Sequence, residues 1–349
     1  MYVDIFSVFL LFSISAFLSG LIFPRLNSFA IKCGITDKPN DRKQHKRPLV
    51  HIGGFGMILT FITVISIFYF FLKLNLDSAV MALFVGATYF FLIGFVDDLL
   101  TLSPFLRLFF QFLGSTFIWN LGIKLSVIDF SWFKFFPITI YLPEILSLFF
   151  TAFVIVGAIN AINWLDGLDG LATGVILISS CGLGVLFFLS DNFQGLFFTS
   201  ILLGICTGFL KYNFYPAKLI MGDGGSYFLG FYIIYLVIFA VLDINASFSN
   251  NIFLPLLMIA LPIIDMALVL FSRVYKRQSV FAPDRSHLHH RLLDLGISHK
   301  QSVLIIYLVS QWFVCLALSF TDLIFNEILL LVSTLFLLLT LFIKFSKRN

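Results

Sequence analysis

Apolar runs of about 20 residues recur along the whole chain and constrain its fold more than any other feature. A run of that length crosses about 30 Å of hydrocarbon as an α-helix. Of the 349 residues, 11% are charged and 60% are hydrophobic, whereas soluble domains carry about 25% charged residues. The sequence therefore predicts an all-α polytopic membrane protein, with residues 1–349 forming a single domain.

Eleven apolar runs are expected to form transmembrane helices. Their approximate ranges are 5–23, 52–72, 79–96, 105–122, 145–162, 171–189, 196–211, 227–243, 252–271, 303–321 and 324–343. Asp4 precedes the first run, and Arg25 and Lys32 follow it. A secretory signal peptide has the reverse order, with basic residues before the apolar run. The first run is therefore expected to remain as a helix, with the N-terminus outside.

The basic residues assign an orientation to these helices. With the N-terminus outside, 19 of the 22 Lys and Arg residues lie on the cytoplasmic side, and Lys73, Lys124 and Lys134 lie outside. This asymmetry satisfies the positive-inside rule, which the opposite orientation would violate. The C-terminus is then cytoplasmic, and the chain is expected to be a multi-pass protein of the inner (plasma) membrane.

The polar residues that could carry chemistry fall in the same cytoplasmic segments. They are His45, His51, His287, His289, His290, His299, Asp97, Asp98, Asp166, Asp169 and Asp223. A carboxylate at the centre of a membrane helix costs about 2.5–3.5 kcal/mol, and a position at a helix end avoids most of that cost. Segments distant in sequence are therefore expected to form one active site on the cytoplasmic face.

The first motif, GFVDDLL, places Asp97 and Asp98 at the end of the third predicted helix. Adjacent carboxylates repel each other unless a cation lies between them, and acids are unfavourable at a helix C-terminus. The pair is a candidate for a divalent-metal site, a general base, or one of each. The alternative interpretation is a solvated helix end.

The second motif, NAINWLDGLDGLATG, repeats a polar residue at every third position. On a helix, Asn160, Asn163, Asp166 and Asp169 would share a strip of surface. Asn and Asp together offer donors and acceptors, which suit a metal-bound diphosphate and the hydroxyl groups of a sugar. The alternative is an N-terminal cap on the sixth helix, which Asp169 could supply.

The third motif, KYNFYPAKLIMGDGGSYFLG, places Asp223 between glycines. Glycines let the backbone turn sharply and leave nearby N–H groups free to face an anion. Asp223 is therefore a candidate metal ligand beside a diphosphate. Asn213 and the neighbouring aromatic residues could hold a nucleotide base. The alternative is an ordinary turn.

The fourth motif, APDRSHLHHRLLDLG, combines Arg285 with His287, His289 and His290. A zinc site would need three or four converging nitrogen or sulfur ligands, and no cysteine is close in the sequence. Because His and Arg donate hydrogen bonds to phosphate oxygens, the motif favours an anion site. The alternative is a solvated basic loop.

Three further polar residues give weaker signals. Asp37 and Lys46 lie in a basic, turn-rich loop, which either contacts substrate or reflects topology and attraction to anionic lipids. Asp265 lies in the ninth predicted helix. We expect it to be structural and to pair with Arg273 or with a backbone group.

The four motifs, in this order, resemble those of the polyprenyl-phosphate N-acetylhexosamine-1-phosphate transferases, the superfamily of MraY and of the WecA/TagO branch. The resemblance covers the chain from about residue 35 to 320, and the H-L-H-H-R pattern after P-D-R is similar to the WecA/TagO branch. It implies transfer of GlcNAc-1-phosphate from UDP-GlcNAc to undecaprenyl phosphate, with release of UMP. The product would start a lipid-linked cell-envelope glycan, such as O-antigen or teichoic acid. Relatives that use other UDP-N-acetyl sugars share much of this pattern.

The resemblance also implies roles for individual residues. Asp223 would bind Mg²⁺, or Mn²⁺ in its place, with Asn163 near the same site and Asp98 in support. Asp97 would be the base or the positioning group for the lipid phosphate, and Asp97, Asp98 and Asp166 are the candidate catalytic residues. The residues expected to contact the UDP-sugar or shape its pocket are Asn160, Asp166, Asp169, Asn213 (at the uracil), Arg285, His287, His289 and His290.

The expected partners are a UDP-N-acetylhexosamine, a polyprenyl phosphate and the bilayer, without nucleic acid, and a homodimer is compatible with them. A cation-coupled transporter is a rival hypothesis, because intramembrane Asp and His also mark transport pathways. Transporters place such residues near the middle of the membrane, often between repeated halves, whereas here they cluster at one face. A non-catalytic membrane scaffold would not need four polar motifs on one side.

Overall fold

The computed structural model of the chain describes residues 5–32, 52–72, 77–130, 138–242, 251–281, 286–321 and 326–346. These residues form helices and one small β-hairpin. The helices are α1 (Ile5–Lys32), α2 (Gly53–Leu72), α3 (Ser78–Leu100), α4 (Pro104–Asn120), α5 (Glu144–Leu165), α6 (Leu171–Leu189), α7 (Phe193–Asn213), α8 (Gly222–Val241), α9 (Phe253–Leu257), α10 (Ala260–Tyr275), α11 (Leu288–Asp294), α12 (His299–Leu318) and α13 (Asn326–Ser346). The strands are β1 (Val127–Asp129) and β2 (Thr139–Tyr141), which pair antiparallel.

Every predicted apolar run contains helix in the structure. Eight helices of the described ranges are long and apolar enough to cross a membrane. This confirms the class of a helical polytopic membrane protein, while the eleven crossings and the orientation stay predictions. The hairpin and the short helix α11 are additions that apolar periodicity does not predict, because neither contains a long apolar run.

The ninth predicted run, 252–271, is divided into α9 and α10 rather than forming one helix. Pro262 has no N–H group, so it cannot donate to the carbonyl of Met258 four residues earlier. That carbonyl instead accepts a hydrogen bond from Ser179 Oγ of α6 at 2.7 Å. A proline and a side chain from another helix therefore end α9 where the sequence suggested continuous helix.

Helix α8 forms the centre of the bundle. Nearly all of it is buried, and it contacts α2, α3, α5, α6 and α7. Tyr227, Phe228 and Phe231 are among its largest fully buried side chains. Because α8 begins at Gly222, five residues before the predicted start at 227, the GDGG segment belongs to its first turn. Asp223 is thus held at the end of the most enclosed helix.

The segment between α5 and α6 contradicts the prediction of one continuous polar strip. Asn160 and Asn163 lie on α5, but that helix ends at Leu165, and Asp166 and Asp169 belong to a tight turn. Gly170 ends the turn with φ of +77°, a left-handed conformation that glycine adopts without strain. The threefold spacing therefore does not reflect a single helical face across the whole motif.

Candidate active site

The Asp98 side chain joins the end of α3 to the start of α8. Its carboxylate accepts the backbone N–H of Asp223 at 2.8 Å and that of Gly224 at 3.0 Å. The sequence predicted that N–H groups near GDGG would face an anion, and two of them face the carboxylate of Asp98. A carboxylate at a helix N-terminus satisfies unpaired donors and complements the helix dipole. Asp98 therefore fixes the position of Asp223.

Asn163 brings the second and third motifs together. Its amide Nδ2 donates to Asp223 Oδ1 at 2.8 Å and to Ser226 Oγ at 2.9 Å. The Asp223 carboxylate also lies within electrostatic reach of Asp97 and Asp98. Residues from α3, α5 and α8 thus meet at one point, as the sequence predicted for these motifs.

Asp97 is the most heavily engaged of the predicted acids. It is 5% exposed, and Oδ2 accepts hydrogen bonds from Arg107 Nη1 at 3.1 Å and from Tyr227 Oη at 3.3 Å. Its other oxygen accepts the backbone N–H of Leu102 at 2.8 Å. An ion-paired carboxylate with these donors is a better anchor than a proton acceptor. In the sequence, Arg107 was counted only among the basic residues of the cytoplasmic side. No sequence pattern predicted its ion pair with Asp97.

Asp169 binds neighbouring loops, and the alternative that it caps α6 is wrong. Its Oδ2 accepts the N–H of Ala217 at 2.9 Å, and its own N–H donates to His299 Nε2 at 3.0 Å. The residue before α6 is Gly170, which has no side chain to cap the helix. His299 stacks on the ring of Tyr215, with a centroid separation of 4.5 Å. Asp169 therefore holds the turn after α5 against the segment around Ala217 and the start of α12.

Asp166 lies in the same turn among other acids. Burial, followed by repulsion from Asp223, Asp169 and Asp98, raises the pKa of Asp166 well above its usual value. Burial disfavours the charged carboxylate, and the neighbouring acids add repulsion to that larger effect. A bound cation would relieve that repulsion.

Two predicted substrate residues have structural partners instead. Asn213 is 3% exposed; its Oδ1 accepts hydrogen bonds from Gly170 N and Thr173 Oγ1, and its Nδ2 donates to the carbonyl of Leu219. These bonds brace two loops and leave no amide group facing a uracil, so that contact is not retained. Asn160 donates to Gln111 Oε1 at 2.7 Å.

The histidine motif forms a cluster at the start of α11. The rings of His287 and His289 lie 5.6 Å apart, and those of His289 and His290 lie 4.2 Å apart. Burial and the two neighbouring histidines lower the pKa of His289 to about 3. A neutral His289 still has one ring N–H to donate, so the predicted contact with phosphate or the acetamido sugar stays a prediction.

Gly167 connects the histidine cluster to the acidic turn. A Cβ atom at position 167 would lie 2.3 Å from His289 Nε2, closer than real side chains approach. The two motifs therefore pack face to face, and the close approach requires glycine. The second motif, which contains Gly167, therefore packs directly against the fourth motif, which contains His289.

Of the two alternatives predicted for Asp265, a backbone group or Arg273, the structure has the backbone group. Its Oδ1 accepts the backbone N–H of Leu288 at 2.7 Å, which confirms a backbone partner, and its Oδ2 lies 2.8 Å from His287 Nδ1. Arg273 instead donates to the carbonyl of Val280 and lies over the ring of Trp164, 4.9 Å from its centroid.

A groove of about 930 Å³ opens between α4, α5 and α10 beside the acidic residues. Most of its lining is aromatic or aliphatic, for example Phe109 and Phe153. Arg107, Asn160 and Trp164 also line it. Since Arg107 contacts Asp97, the groove leads from an apolar surface to the edge of the acidic site.

The donor set fits a divalent cation that keeps part of its own water shell. Within the described ranges, no group of three or more His, Cys, Asp or Glu side chains is arranged to hold a metal ion alone. Mg²⁺ is commonly bound through one or two carboxylates together with substrate phosphates and water. Asp223 and the negative charge around Asp166 match that pattern. Arg285, Asp37 and Lys46 lie outside the described residues.

Comparisons with known proteins identify the family of this chain. Residues 80–241 match the family described as Glycosyl transferase family 4. A probable undecaprenyl-phosphate N-acetylglucosaminyl 1-phosphate transferase of Bacillus subtilis (strain 168) is 31% identical over 294 residues, which cover 83% of this chain and 78% of that protein. An undecaprenyl-phosphate alpha-N-acetylglucosaminyl 1-phosphate transferase of Haemophilus influenzae is 30% identical over 318 residues, 87% of this chain and 83% of that protein. The chain belongs to glycosyl transferase family 4.

Family 4 membership makes this protein a glycosyl-1-phosphate transferase and gives no support to the transporter hypothesis. A decaprenyl-phosphate N-acetylglucosaminephosphotransferase of Mycobacterium tuberculosis (strain ATCC 25618 / H37Rv) is also 30% identical, over 80% of this chain and 74% of that protein. The matched range 80–241 contains the acidic site from Asp97 to Asp223, and the histidine cluster lies beyond it.

Proposed function

We propose that this family 4 enzyme transfers GlcNAc-1-phosphate from UDP-GlcNAc to undecaprenyl phosphate and releases UMP. The names of the relatives in Bacillus subtilis and Haemophilus influenzae support this donor and acceptor. The observation that carries the proposal is the junction of Asp98, Asn163 and Asp223. Next to Asp98, Asp97 pairs with Arg107, which lines the apolar groove. That arrangement suits a reaction between a lipid phosphate and a water-soluble diphosphate.

The acceptor would occupy the groove between α4, α5 and α10. Its prenyl chain would lie against the aromatic lining, because burial of apolar surface is favourable. Its phosphate would then reach Arg107, the cation that lines the groove and contacts Asp97. Arginine is well suited to phosphate because its planar group donates two parallel hydrogen bonds. Arg107 is thus the proposed anchor of the acceptor phosphate.

The donor diphosphate would bind at Asp223 through Mg²⁺, with Mn²⁺ as a substitute. When bound, the ion would neutralise the diphosphate and stabilise the charge that develops during phosphoryl transfer. Asp98 and Asn163 hold Asp223 in place, and the Asp166–Asp169 turn forms the adjacent wall. His287 and His290 contact His289, which packs against that turn, and they are the proposed contacts of phosphate or of the acetamido sugar.

In the proposed reaction, an oxygen of the acceptor phosphate forms a bond to the β-phosphorus of UDP-GlcNAc. The bond from that phosphorus to the bridging oxygen breaks, and UMP leaves with that oxygen. One phosphoanhydride replaces another, so no further energy source is needed. A phosphate monoester has a second pKa near 6 and is already an anion at neutral pH. The ion-paired Asp97 is therefore assigned to positioning Arg107 rather than to removing a proton.

The orientation proposed from the basic residues puts this site on the cytoplasmic side of the plasma membrane.

The test of the function is UMP release by the purified protein with undecaprenyl phosphate, Mg²⁺ and a series of UDP-sugars. UDP-GlcNAc should give the highest kcat/KM, and Asp223→Asn should abolish release. Asp191→Asn, at an exposed turn far from the site, is the control and should match the wild type. No UMP with any UDP-N-acetyl sugar would overturn the proposal, and a preference for another such sugar would reassign the donor.

A further inference from the structure

We infer that Asp265 is a positioning residue, which orients His287 so that its Nε2 faces the donor substrate. This inference rests on the proposed function, since it concerns the same active site. The pair lies outside the acidic cluster and joins α10 to the segment before α11. Asp265 is 8% exposed and His287 is 7% exposed, so both are almost completely enclosed.

The contacts of Asp265 determine which nitrogen of His287 carries the hydrogen atom. Both carboxylate oxygens act as acceptors, one toward the N–H of Leu288 at 2.7 Å and the other toward His287 Nδ1 at 2.8 Å. A carboxylate offers no hydrogen atom, so Nδ1 must be the protonated nitrogen in this pair. Nε2 is then the ring nitrogen left for a ligand. A carboxylate bonded to one ring nitrogen sets the tautomer and the orientation of the other.

Neighbouring rings fix the plane of His287. The edge of Trp164 meets His287 with a centroid distance of 5.6 Å and an interplanar angle of 78°. On another side, the ring of His289 lies nearly parallel to it, at 11°. His289 in turn packs against Gly167 in the acidic turn. The imidazole is therefore held from two sides, and Asp265 determines its rotation within that slot.

The same arrangement links the two halves of the site. Trp164 lines the apolar groove and also contacts His287. It follows Asn163, whose amide binds Asp223. His287 therefore contacts Trp164, which lines the groove, and His289, which packs against the acidic turn. With the hydrogen atom on Nδ1, Nε2 of the neutral ring is an acceptor, which suits an N–H or O–H group of the donor sugar.

The test uses two substitutions, His287→Asn and Asp265→Asn, that affect Nδ1 and Nε2 of His287 differently. His287→Ala is the reference. In His287→Asn the amide nitrogen can still donate to Asp265, as Nδ1 does, but nothing replaces Nε2. We expect His287→Asn to lose as much kcat/KM as His287→Ala. Asp265→Asn, which presents an amide N–H to His287 Nδ1 and so forces the other tautomer, should lower kcat/KM by about 10–100-fold, the loss typical of removing a group that orients a histidine ligand.

A double-mutant comparison distinguishes positioning from a purely structural role. If Asp265 acts through His287, adding Asp265→Asn to His287→Ala should cause little further loss of UMP release. Wild-type activity in His287→Asn, or a fully multiplicative loss in the double variant, would overturn the inference. UMP release by the wild-type protein in the same experiment tests the proposed function independently of Asp265. If the wild type releases no UMP, both the proposed function and this inference are overturned. Asp191→Asn is the matched carboxylate control.

Discussion

Asp98, in the last turn of α3, accepts the backbone N–H of Asp223, in the first turn of α8, at 2.8 Å. Asp98 therefore holds the backbone of Asp223 in place, and the two carboxylates have different surroundings. Asn163 completes the junction from α5 through its hydrogen bond to Asp223. We therefore propose a supporting role for Asp98 and a metal-binding role for Asp223.

The first prediction concerns this supporting role. Asp98→Asn should lower both the thermal stability of the detergent-purified protein and its UMP release, because an amide group would face the N–H of Gly224. Loss of a capping interaction typically costs about 0.5–2 kcal/mol. Asp77→Asn is the control, since Asp77 caps the start of α3 through the N–H of Val80, where Asn caps as well as Asp. Unchanged melting and activity in Asp98→Asn would contradict the role.

The second prediction concerns the pH dependence of stability through Asp166. Burial and neighbouring acids raise the pKa of Asp166 in the folded protein, whereas the unfolded chain has a value near 3.9. The folded state therefore gains stability from the proton below about pH 4 and loses it as the pH rises through the raised pKa. Without divalent cations, Asp166→Asn should melt at a higher temperature than wild type at neutral pH. The difference should shrink toward pH 4.

Added Mg²⁺ provides the control for that measurement. It should raise the melting temperature of the wild type more than that of Asp166→Asn, because the cation and the substitution relieve the same repulsion. A variant that melts at or below the wild-type temperature at every pH would refute the charge argument.

The third prediction concerns the contact between the acidic turn and the histidine cluster. Gly167→Ala should reduce UMP release by more than about tenfold, because the new Cβ would lie 2.3 Å from His289 Nε2 and force the motifs apart. Gly20→Ala is the control, since a Cβ at position 20 meets no atom within 4 Å. Equal activity in both variants would show that the two motifs are not coupled.

Apolar runs predicted the helices well because burial in lipid depends mainly on the length and polarity of a segment. The same signal could not locate the end of α5 at Leu165. The threefold spacing of Asn163, Asp166 and Asp169 continues past that point, while the chain leaves the helix at Asp166 and turns toward Gly170, whose φ is +77°. Local conformational freedom, rather than hydrophobicity, decided that boundary.

The motifs predicted which residues gather at the site, but not which atoms they bind. Asp98 binds backbone N–H groups more than 120 residues away in sequence, and Asp265 binds His287 across 22 residues. Backbone donors are present at every position except proline, so no sequence pattern marks the one that a carboxylate will find. Asn213 was predicted to contact uracil, but in the structure its amide binds Gly170, Thr173 and Leu219.

The fourth prediction concerns the groove. Gly157 lines it, and a Cβ at position 157 meets no atom within 4 Å. Gly157→Phe should therefore fill the groove and raise the KM for undecaprenyl phosphate about tenfold, equal to about 1.4 kcal/mol. The KM for UDP-GlcNAc should not change. Gly20→Phe, on α1, is the matched control, and a rise in the UDP-GlcNAc KM alone would remove the acceptor from this groove.

The most direct test of the account is the fate of the β-phosphorus of the donor. Purified protein should be given UDP-GlcNAc labelled with ³²P at that phosphorus, together with undecaprenyl phosphate and Mg²⁺. The label should enter the lipid product, and unlabelled UMP should appear in equal amount, because the phosphosugar moves as a unit. Label retained in released UDP would mean that the sugar alone is transferred, and it would contradict the mechanism assigned to this site.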